Sequence, residues 1–280
     1  MKKRLLLIDG HNLLFQMFFG MPAKIAGKDG RPIQGVIGFI GAVNKLLSMT
    51  EATHAAVIFD SETHNPRFEI LNEYKATRPD YSDMPDEDNP FSILPDIYRA
   101  LCYMGIKNAE AKNAECDDVI ASFCINAPDD TEVFVSSFDS DYFQLINEKT
   151  RIIRYKGASS IICDKRYIEE KLGVSPELYA DYKSLVGDTA DNIKGIRGVG
   201  PKTAAKIISA FGSLNNMLSA PEIICDEKIK KLITENAELL RRNLSLIKLD
   251  AHAPLPFTFE EIKINEAPPR TMDVIRGIDI

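Results

Sequence analysis

Short apolar, β-branched runs alternate with longer stretches of helical periodicity from the N-terminus to Cys163. The runs predict strands, because a strand buried on both faces of a parallel sheet is almost continuously apolar. The predicted strands are Arg4–Ile8, Ala55–Phe59, Glu132–Ser136, Arg151–Tyr155 and Ser160–Cys163. Helical periodicity fills the intervals at Gly35–Met49, Pro90–Met104 and Asp117–Ile125. This alternation indicates an α/β lobe with a mostly parallel sheet.

Strand signals stop after Cys163, and helical patterns replace them. The predicted helices are Asp164–Leu172, Pro176–Val186, Pro201–Phe211 and Asp226–Leu246. We therefore expect a first lobe over residues 1–170 and a helical lobe over residues 171–280. Two segments depart from this plan. Glu73–Pro90 contains three prolines and a run of acids, which predicts an excursion from the core, and the proline-rich tail from Ala251 is expected to lie along the surface.

Composition narrows the class of protein. The chain has 280 residues, 34 basic and 41 acidic, and its net charge of −7 does not by itself indicate a nucleic-acid binder. Asp9 interrupts the apolar N-terminal run, so a signal peptide is not expected, and no apolar run approaches the ~18 residues of a membrane span. The 5 cysteines form no CxxC pair. They predict neither a disulfide framework nor a zinc site, and they favour a reducing cytoplasm.

Acidic residues stand where the predicted strands end. Asp9 and Asp60 follow the first two strands, and Asp139 and Asp141 follow the third. Ligands of open α/β sheets collect beyond the carboxyl ends of the strands, so these side chains are expected in one crevice. Further acids lie at the start of one predicted helix and after the end of another. Those at the start are Glu115, Asp117 and Asp118, and those after the end are Asp188 and Asp191.

Each acid alone has an ordinary interpretation as a helix cap or a solvated side chain. Nine together would repel one another unless cations compensated them. Without these nine, 32 acidic residues face 34 basic ones, so the negative charge is concentrated in the predicted site. Oxygen ligands favour Mg²⁺ or Mn²⁺, and the absence of nearby Cys ligands and the scarcity of His argue against zinc. Paired metals about 4 Å apart hydrolyse phosphodiesters, which makes phosphoryl hydrolysis the leading reaction class.

Two further motifs favour contact with phosphate. The sequence GIRGVGPKTAAKII begins a helix at Pro201 and brings Gly198, Gly200 and Lys202 to its amino end. Six residues separate Gly195 from Lys202 where a Walker A loop has five, so an NTPase is disfavoured. A helix-hairpin-helix turn that holds a DNA phosphate and a plain glycine-rich helix start remain open. The second motif, at 73–79, puts Tyr74 beside Lys75 and Arg78, and the cluster is also common on solvated helix faces.

The order of these motifs resembles the bacterial 5′-3′ exonuclease and flap endonuclease family, the nuclease domain at the N-terminus of DNA polymerase I. IDG at Asp9, VIFD at Asp60, EYKATRP, ECDD, DSD, GDTADN and GIRGVGPKTA follow one another over about residues 4–250. The resemblance implies a PIN-like lobe with a helical arch at about 66–94. It also implies a helical lobe with a helix-hairpin-helix turn at about 187–211 that binds duplex DNA.

The resemblance also assigns roles to residues. The first metal cluster would comprise Asp9, Asp60, Glu115, Asp117 and Asp118. The second would comprise Asp139, Asp141, Asp188 and Asp191. The expected catalytic residues are Lys75, Arg78, Asp9, Asp60 and Asp117. The expected DNA contacts are Tyr74, Lys75, Arg78, Gly198, Gly200, Lys202 and Thr203. Two Mg²⁺, for which Mn²⁺ can substitute, and a K⁺ at the glycine turn complete the implied set.

Four positions depart from the family pattern. Phe138 stands where glycine is common, Ser140 and Gln16 stand where basic residues are expected, and His11 replaces a small residue. None is a predicted metal ligand, so hydrolysis is expected to survive. The missing cations are expected to weaken DNA affinity or to alter the preference between flap and end cleavage.

The sequence thus predicts a structure-specific 5′ nuclease of DNA replication and repair, monomeric and cytoplasmic, that acts on branched or 5′-ended DNA and on RNA–DNA hybrids. Because the chain ends at residue 280, without a polymerase domain, a stand-alone nuclease is favoured over an excised fragment. The alternatives are a non-catalytic DNA-junction-binding protein, a topoisomerase-primase type metal domain and a PIN-type ribonuclease. The second leaves Asp9, Asp60 and the glycine turn unexplained, and the third does not need the helical lobe.

Overall fold

A six-stranded sheet with the strand order β3-β2-β1-β4-β5-β6 organises the first lobe of the chain, whose computed structural model describes residues 2–61 and 67–280. The strands are β1 (Lys3–Asp9), β2 (His54–Phe59), β3 (Lys107–Glu110), β4 (Thr131–Ser136), β5 (Thr150–Arg154) and β6 (Ile161–Cys163). All neighbours are parallel except β5 and β6, which pair antiparallel. The predicted α/β class with a mostly parallel sheet is therefore confirmed.

The central strand β1 explains why the sheet carries helices on both faces. Its side chains from Leu5 to Ile8 are fully buried. Leu5 and Leu7 pack into the core that contains α5, whereas Leu6 and Ile8 pack into the opposite core with α2 and α4. The first lobe's helices are α1 (Gly10–Gly20), α2 (Gln34–Thr50), α3 (Arg67–Ile70), α4 (Leu94–Tyr103) and α5 (Cys116–Asn126).

Two elements of the first lobe were not predicted. Strand β3 has the polar sequence KNAE at the sheet edge, so it lacks the apolar run that marks a buried strand. Helix α1 is apolar around much of its surface, and its start depends on the Asp9 carboxylate, which accepts the Asn12 N–H at 3.0 Å. Asp9 therefore caps a helix as well as belonging to the predicted site.

The second lobe is helical, as predicted, apart from the two-residue strands β7 (Gly187–Asp188) and β8 (Ile193–Lys194). Its helices are α6 (Lys165–Leu172), α7 (Tyr179–Val186), α8 (Pro201–Phe211), α9 (Leu214–Ser219), α10 (Glu227–Glu235) and α11 (Ala237–Ile247). The single helix predicted at 226–246 is divided into α10 and α11 at Asn236. None of the helices in the described ranges is long and apolar enough to cross a membrane.

The segment expected to form a helical arch contains little helix. Pro66 lies outside the described residues, α3 has only four residues, and residues 71–89 form successive turns before a 3₁₀ turn at Pro90–Ile93. Pro79 and Pro85 cannot continue a helix, and carboxylates such as Asp80, which accepts the Ser82 N–H at 2.9 Å, stabilise turns instead.

The C-terminal tail is part of the core of the first lobe, and the expectation of a surface-lying tail is wrong for its last helix. Lys263 forms an antiparallel bridge with His54 of β2, and the Ile264 N–H donates to the Thr53 carbonyl at 2.9 Å. Helix α12 (Thr271–Gly277) then packs against α2 and α4 and buries Val274 and Ile275. Helix α12 has only seven residues, too few for its apolar positions to show a helical period in the sequence.

Truncating Ile275 to Ala is expected to lower the free energy of unfolding by about 2–5 kcal/mol, because a side chain that is only 4% exposed leaves a cavity. Met272→Ala on the same helix, where Met272 is 51% exposed, is the matched control and is expected to change stability by less than about 0.5 kcal/mol. Urea unfolding measures both. Equal effects of the two variants would contradict the packing of α12.

Candidate metal centre

The first carboxylate group lies at the carboxyl end of β1. A carboxylate oxygen of Asp9, the Cys116 sulfur and a carboxylate oxygen of Asp117 all lie within 4.8 Å of one another. The strand delivers Asp9, and the first turn of α5 delivers Cys116 and Asp117. Two hydroxyls hold the oxygens in place, since Ser137 donates to Asp9 at 2.9 Å and Tyr142 donates to Asp117 at 3.0 Å.

Asp60 and Asp139 stand beside this group, as the strand ends predicted. Asp60 accepts the Cys116 N–H at 2.9 Å, which fixes it against the start of α5. Asp139 accepts the Asp141 N–H at 2.9 Å and so caps the 3₁₀ helix that begins at Ser140. With Asp9 and Asp117, these two acids line one cavity of about 660 Å³, although the resemblance assigns Asp139 to the second metal cluster.

Glu115 and Asp118 are engaged by a buried arginine instead. The Arg67 guanidinium donates to both oxygens of Asp118 at 2.7 Å and to Glu115 at 2.8 Å. Asp118 also accepts the Asp250 N–H at 2.8 Å. In this structure Asp118 is therefore ion-paired within the first lobe and joined to the second lobe by the Asp250 N–H, although the resemblance assigns it to the first metal cluster.

The second carboxylate group contains Asp141, Asp188 and Asp191, with one oxygen of each within 4.8 Å of the others. The 3₁₀ helix after β4 delivers Asp141, and β7 and the turn after it deliver the other two. A buried lysine also belongs to this group: the Lys183 ammonium contacts Asp141 and lies 2.5 Å from Asp188. Both lobes thus contribute to the second group.

The motif at 73–79 lies between the two groups. The Tyr74 hydroxyl is 3.2 Å from Glu115 and 3.3 Å from Asp191, Lys75 contacts Glu115, and Arg78 donates to Asp191 at 2.9 Å. Tyr74 is only 2% exposed, so its ring is not available for the stacking on a base that the sequence suggested. Lys75 and Arg78 also line the cavity of the first group, as expected of residues that meet phosphate.

The glycine turn presents an open amino end of α8. Gly198 has φ +85°, a conformation that favours glycine, and Gly200 precedes the helix without a side-chain cap. Lys202 and Thr203 are exposed in the first helical turn. Behind the turn, a Cβ on Gly195 would lie 2.2 Å from the Val186 backbone, so this close chain crossing requires glycine.

Three of the four departures from the family pattern make hydrogen bonds to residues distant in sequence. His11 accepts the Asp60 N–H at 3.1 Å, and Gln16 donates to the Tyr155 carbonyl at 2.6 Å. The Phe138 N–H donates to Asn12 at 2.9 Å, while its ring is 38% exposed. Ser140 is the first residue of the 3₁₀ helix.

Charge crowding shifts the pKa values of several acids. Burial raises the pKa of Asp9 to about 6, and the Asp60 carboxylate acts in the same direction. Burial and the Asp139 carboxylate raise the pKa of Asp117 well above its ordinary value. Burial also raises the pKa of Asp141 to about 7, although Lys183 opposes the shift. Burial acts upward on Asp60 as well, but His11 and Lys75 outweigh it and lower its pKa to about 2.

The positions of these acids and their raised pKa values fit sites for divalent cations. Two sets of carboxylate oxygens lie at mutual distances that one ion each can span, and three of the acids hold raised pKa values because nearby negative charge and burial disfavour their ionised forms. The Cys116 sulfur belongs to the first set, so the argument that no cysteine stands near the acids is wrong. All 5 cysteines are free thiols.

The sequence reasoning missed four side chains that organise the site, namely Arg67, Cys116, Tyr142 and Lys183. Their common feature is burial next to an acid, which depends on tertiary packing. Lys183 alone left a local signal, because a lysine stands within an otherwise buried helix five residues before Asp188.

Comparison with known proteins gives matches over nearly the whole chain. Residues 4–173 match the model of the 5′-3′ exonuclease N-terminal resolvase-like domain, and residues 174–270 match that of the 5′-3′ exonuclease C-terminal SAM fold. DNA polymerase I of Bacillus caldotenax is 35% identical over 267 residues, and that of Bacillus subtilis (strain 168) is 33% identical over 256 residues. These alignments cover 94% and 89% of this chain but only 30% and 28% of the relatives.

Solved structures show the same fold. A T5 5′-exonuclease with bound divalent metal ions (zinc) has a TM-score of 0.71 at 22% identity and covers 99% of this chain and 100% of its own. The catalytic core of Rad2 in complex with a DNA substrate has a TM-score of 0.55 at 16% identity, covering 99% of this chain and 85% of its own. The expected fold class, an α/β nuclease lobe followed by a helical lobe, is confirmed.

Substitutions at the neighbouring residues Asp117 and Asp118 are expected to have opposite effects on the metal-free chain. Asp117→Asn removes a crowded charge, so it is expected to raise the free energy of unfolding while abolishing Mn²⁺ binding at the first group. Asp118→Asn removes one of the two carboxylate partners of buried Arg67 and is expected to lower the free energy of unfolding by about 1.5–3 kcal/mol. Urea unfolding in EDTA and Mn²⁺ titration test this contrast. Destabilisation by both variants would refute it.

The stability of the metal-free chain is expected to decrease with rising pH. Asp9 and Asp141 have folded pKa values of about 6 and 7, above the unfolded value of about 3.9, so the folded state binds more protons in this range. Their stabilising contribution is complete below about pH 4 and is lost as pH rises through 6 and 7. Urea unfolding in EDTA is expected to give a free energy of unfolding about 4 kcal/mol lower at pH 8 than at pH 5. An Asp9→Asn/Asp141→Asn variant should flatten the profile, and an equally steep profile in that variant would count against the assignment.

Proposed function

Because the chain belongs to the 5′-3′ exonuclease family, we propose that it is a structure-specific 5′ nuclease that hydrolyses phosphodiester bonds of DNA. One observation carries the proposal: two carboxylate groups flank the Tyr74–Arg78 motif at the carboxyl edge of the sheet, beside a cavity of about 660 Å³. The cavity combines acids that can hold cations with the side chains of Lys75 and Arg78, which can meet a phosphate. A polyanionic substrate needs both.

Asp9, Asp60, Asp117 and Asp139 are the side chains proposed to hold one Mg²⁺ or Mn²⁺ with help from Glu115. Asp141, Asp188 and Asp191 are proposed to hold a second. Bound divalent cations would supply an activated water and would stabilise the charge on the leaving oxygen. The chain itself fixes the acids, because Ser137 and Tyr142 hold Asp9 and Asp117 through hydrogen bonds from neutral donors.

Lys75 and Arg78 are proposed to bind the scissile phosphate. Lys75 is 13% exposed and lines the cavity from its contact with Glu115, so its ammonium stands where negative charge increases during the reaction. Phe15, Tyr81 and Phe91 line the same cavity and pack edge to face, with ring centroids 5.5 Å apart between Phe15 and each of the other two. They give the cavity an apolar side against which a nucleotide can lie.

Duplex DNA is proposed to bind the glycine turn. The amino end of α8 exposes backbone N–H groups at Gly198 and Gly200, and Lys202 and Thr203 stand beside them. Arg197 and Lys206 are basic residues of the same segment, and within the described ranges neither forms an ion pair with a carboxylate. We propose that this surface holds a backbone phosphate without reading bases, and that K⁺ binds at the turn.

The relatives supply the biological setting of the proposal. The curated relatives are DNA polymerase I proteins, and this chain spans about 30% of their length. A T5 flap endonuclease has been solved in a complex with DNA and metal ions. We propose that this chain removes 5′ flaps and primers during DNA replication and repair. It would act as a cytoplasmic monomer on branched or 5′-ended DNA, including RNA–DNA hybrids.

A labelled 5′-flap duplex and a matched single strand are the substrates for the direct test. Cleavage near the junction is expected with Mg²⁺ and not with EDTA, and the single strand is expected to be cut far more slowly. Lys75→Ala is expected to lower the cleavage rate by about 10²–10³ through loss of electrostatic stabilisation. Lys165→Ala, which removes an exposed lysine paired with Glu177, is the control and should keep the parental rate.

Tight binding of the flap without cleavage in Mg²⁺ or Mn²⁺ would refute the nuclease and support the non-catalytic junction-binding protein. In that outcome Phe138 and Ser140, beside Asp139, would be the first positions to restore to the family pattern.

A further inference from the structure

Lys183 is a buried cation inside the second carboxylate group. Its side chain is 9% exposed, and its ammonium contacts Asp141 and lies 2.5 Å from Asp188. Helix α7 ends at Val186, so the lysine reaches forward to the acid of the following strand and sideways to the acid of the first lobe. One ammonium is therefore shared by two carboxylates from two different segments.

The Lys183 ammonium lies where the three acids of the second group need positive charge. Three carboxylate oxygens within 4.8 Å repel one another unless a cation lies among them. Burial disfavours a charged lysine, yet the surrounding acids outweigh burial and raise the pKa of Lys183 above its ordinary value. Arg78 adds a second positive charge through its 2.9 Å bond to Asp191. The protein itself therefore supplies two positive charges to the three acids of the second group.

The first group differs in this respect. Asp9 accepts hydrogen bonds from the Asn12 N–H and the Ser137 hydroxyl, and Asp117 accepts one from the Tyr142 hydroxyl. Within residues 2–61 and 67–280, no lysine or arginine nitrogen lies within 4.0 Å of either carboxylate. Neutral donors orient these two acids, and the Lys75 ammonium, which contacts Glu115, offsets the charge of Asp117 only in part, since the pKa of Asp117 stays well above its ordinary value. No ammonium therefore contacts Asp9 or Asp117 in the described structure, whereas Lys183 contacts two acids of the second group.

We propose that Lys183 is a built-in cation that lowers the affinity of the second carboxylate group for divalent ions. In the absence of DNA the chain then binds one divalent ion tightly, at the first group. A second ion binds only by displacing the ammonium from Asp141 and Asp188. This inference rests on the proposed function, which supplies the reason for two ions.

The arrangement links the second ion to the substrate. A phosphodiester brings oxygen ligands and negative charge of its own, which compensate for the carboxylate contacts that an incoming ion must share with Lys183. Without DNA, the ammonium keeps the second group intact and prevents three crowded acids from destabilising the junction between the lobes. Lys183 is thus a positioning residue that controls when the second site is available.

Mn²⁺ binding to the DNA-free chain tests this inference, with free Mn²⁺ measured by electron paramagnetic resonance and the heat of binding by calorimetry. The parent chain is expected to bind one ion tightly. Lys183→Met keeps the length of the side chain and removes the charge, so it is expected to bind two, the second at least about tenfold more tightly than in the parent. Lys183→Arg retains the charge and should behave as the parent does. Lys171→Met, on the exposed face of α6, is the control for an unrelated lysine.

Tight binding of two ions or of none by the parent chain would overturn the inference, as would one tight site in Lys183→Met. If Lys183→Met is unfolded in EDTA, circular dichroism is expected to show refolding as Mn²⁺ replaces the ammonium, and failure to refold at any Mn²⁺ concentration would also overturn it. The readout is independent of catalysis. A chain that cuts no DNA but gains a site in Lys183→Met would refute the nuclease alone, and a nuclease with unchanged stoichiometry would refute this inference alone.

Discussion

Repulsion among carboxylates at the carboxyl edge of the sheet is the constraint on which the site depends. Parallel strands end at the same edge, so Asp9, Asp60 and Asp139 are brought together by the pairing of β2, β1 and β4. Folding therefore requires positive charge nearby, and the chain supplies it unevenly. Arg67 neutralises Glu115 and Asp118, whereas Asp9 and Asp117 receive only neutral donors in the described structure. Positive charge is therefore scarcest around Asp9 and Asp117, where a cation can bind.

The same charges connect the two lobes. Tyr74 contacts Glu115 of the first lobe and Asp191 of the second, and the Lys75 N–H donates to the Asp191 carbonyl at 3.2 Å. Lys183 in turn reaches Asp141 across the boundary. Because Tyr74, Lys75 and Arg78 donate to carboxylates of the two groups, a cation that binds either group would compete for the partners that hold the 73–79 motif. Cation binding and the position of this motif are therefore coupled through shared side chains rather than through a distant relay.

The sequence predicted the acids better than the cations, and the reason is physical. An acid directly after a strand has a fixed place, because the strand's position in a parallel sheet determines where its end lies; Asp9 and Asp60 therefore met as expected. A lysine within a helix has no such marker. Lys183 shares α7 with Tyr179, Ala180 and Leu185, and only packing decides that it faces the acids. The spacing of Glu115 and Asp118, one turn apart, predicted a shared helix face but gave no sign that the Arg67 guanidinium lies between them.

The departures from the family pattern follow the same division between acids and cations. All nine predicted acids are present, but Gln16 and Ser140 are neutral where cations are expected. Gln16 is committed to the Tyr155 carbonyl, and a neighbouring cation, Arg154, comes from β5 instead and donates to the Phe138 carbonyl at 3.2 Å. Catalysis by metal-holding acids and attraction of a polyanion by cations are separable physical terms. This chain carries the nine acids that the resemblance assigns to the metal clusters and lacks two of the basic residues that it assigns nearby, so we expect its differences from the family pattern to affect the binding of DNA more than the binding of metal.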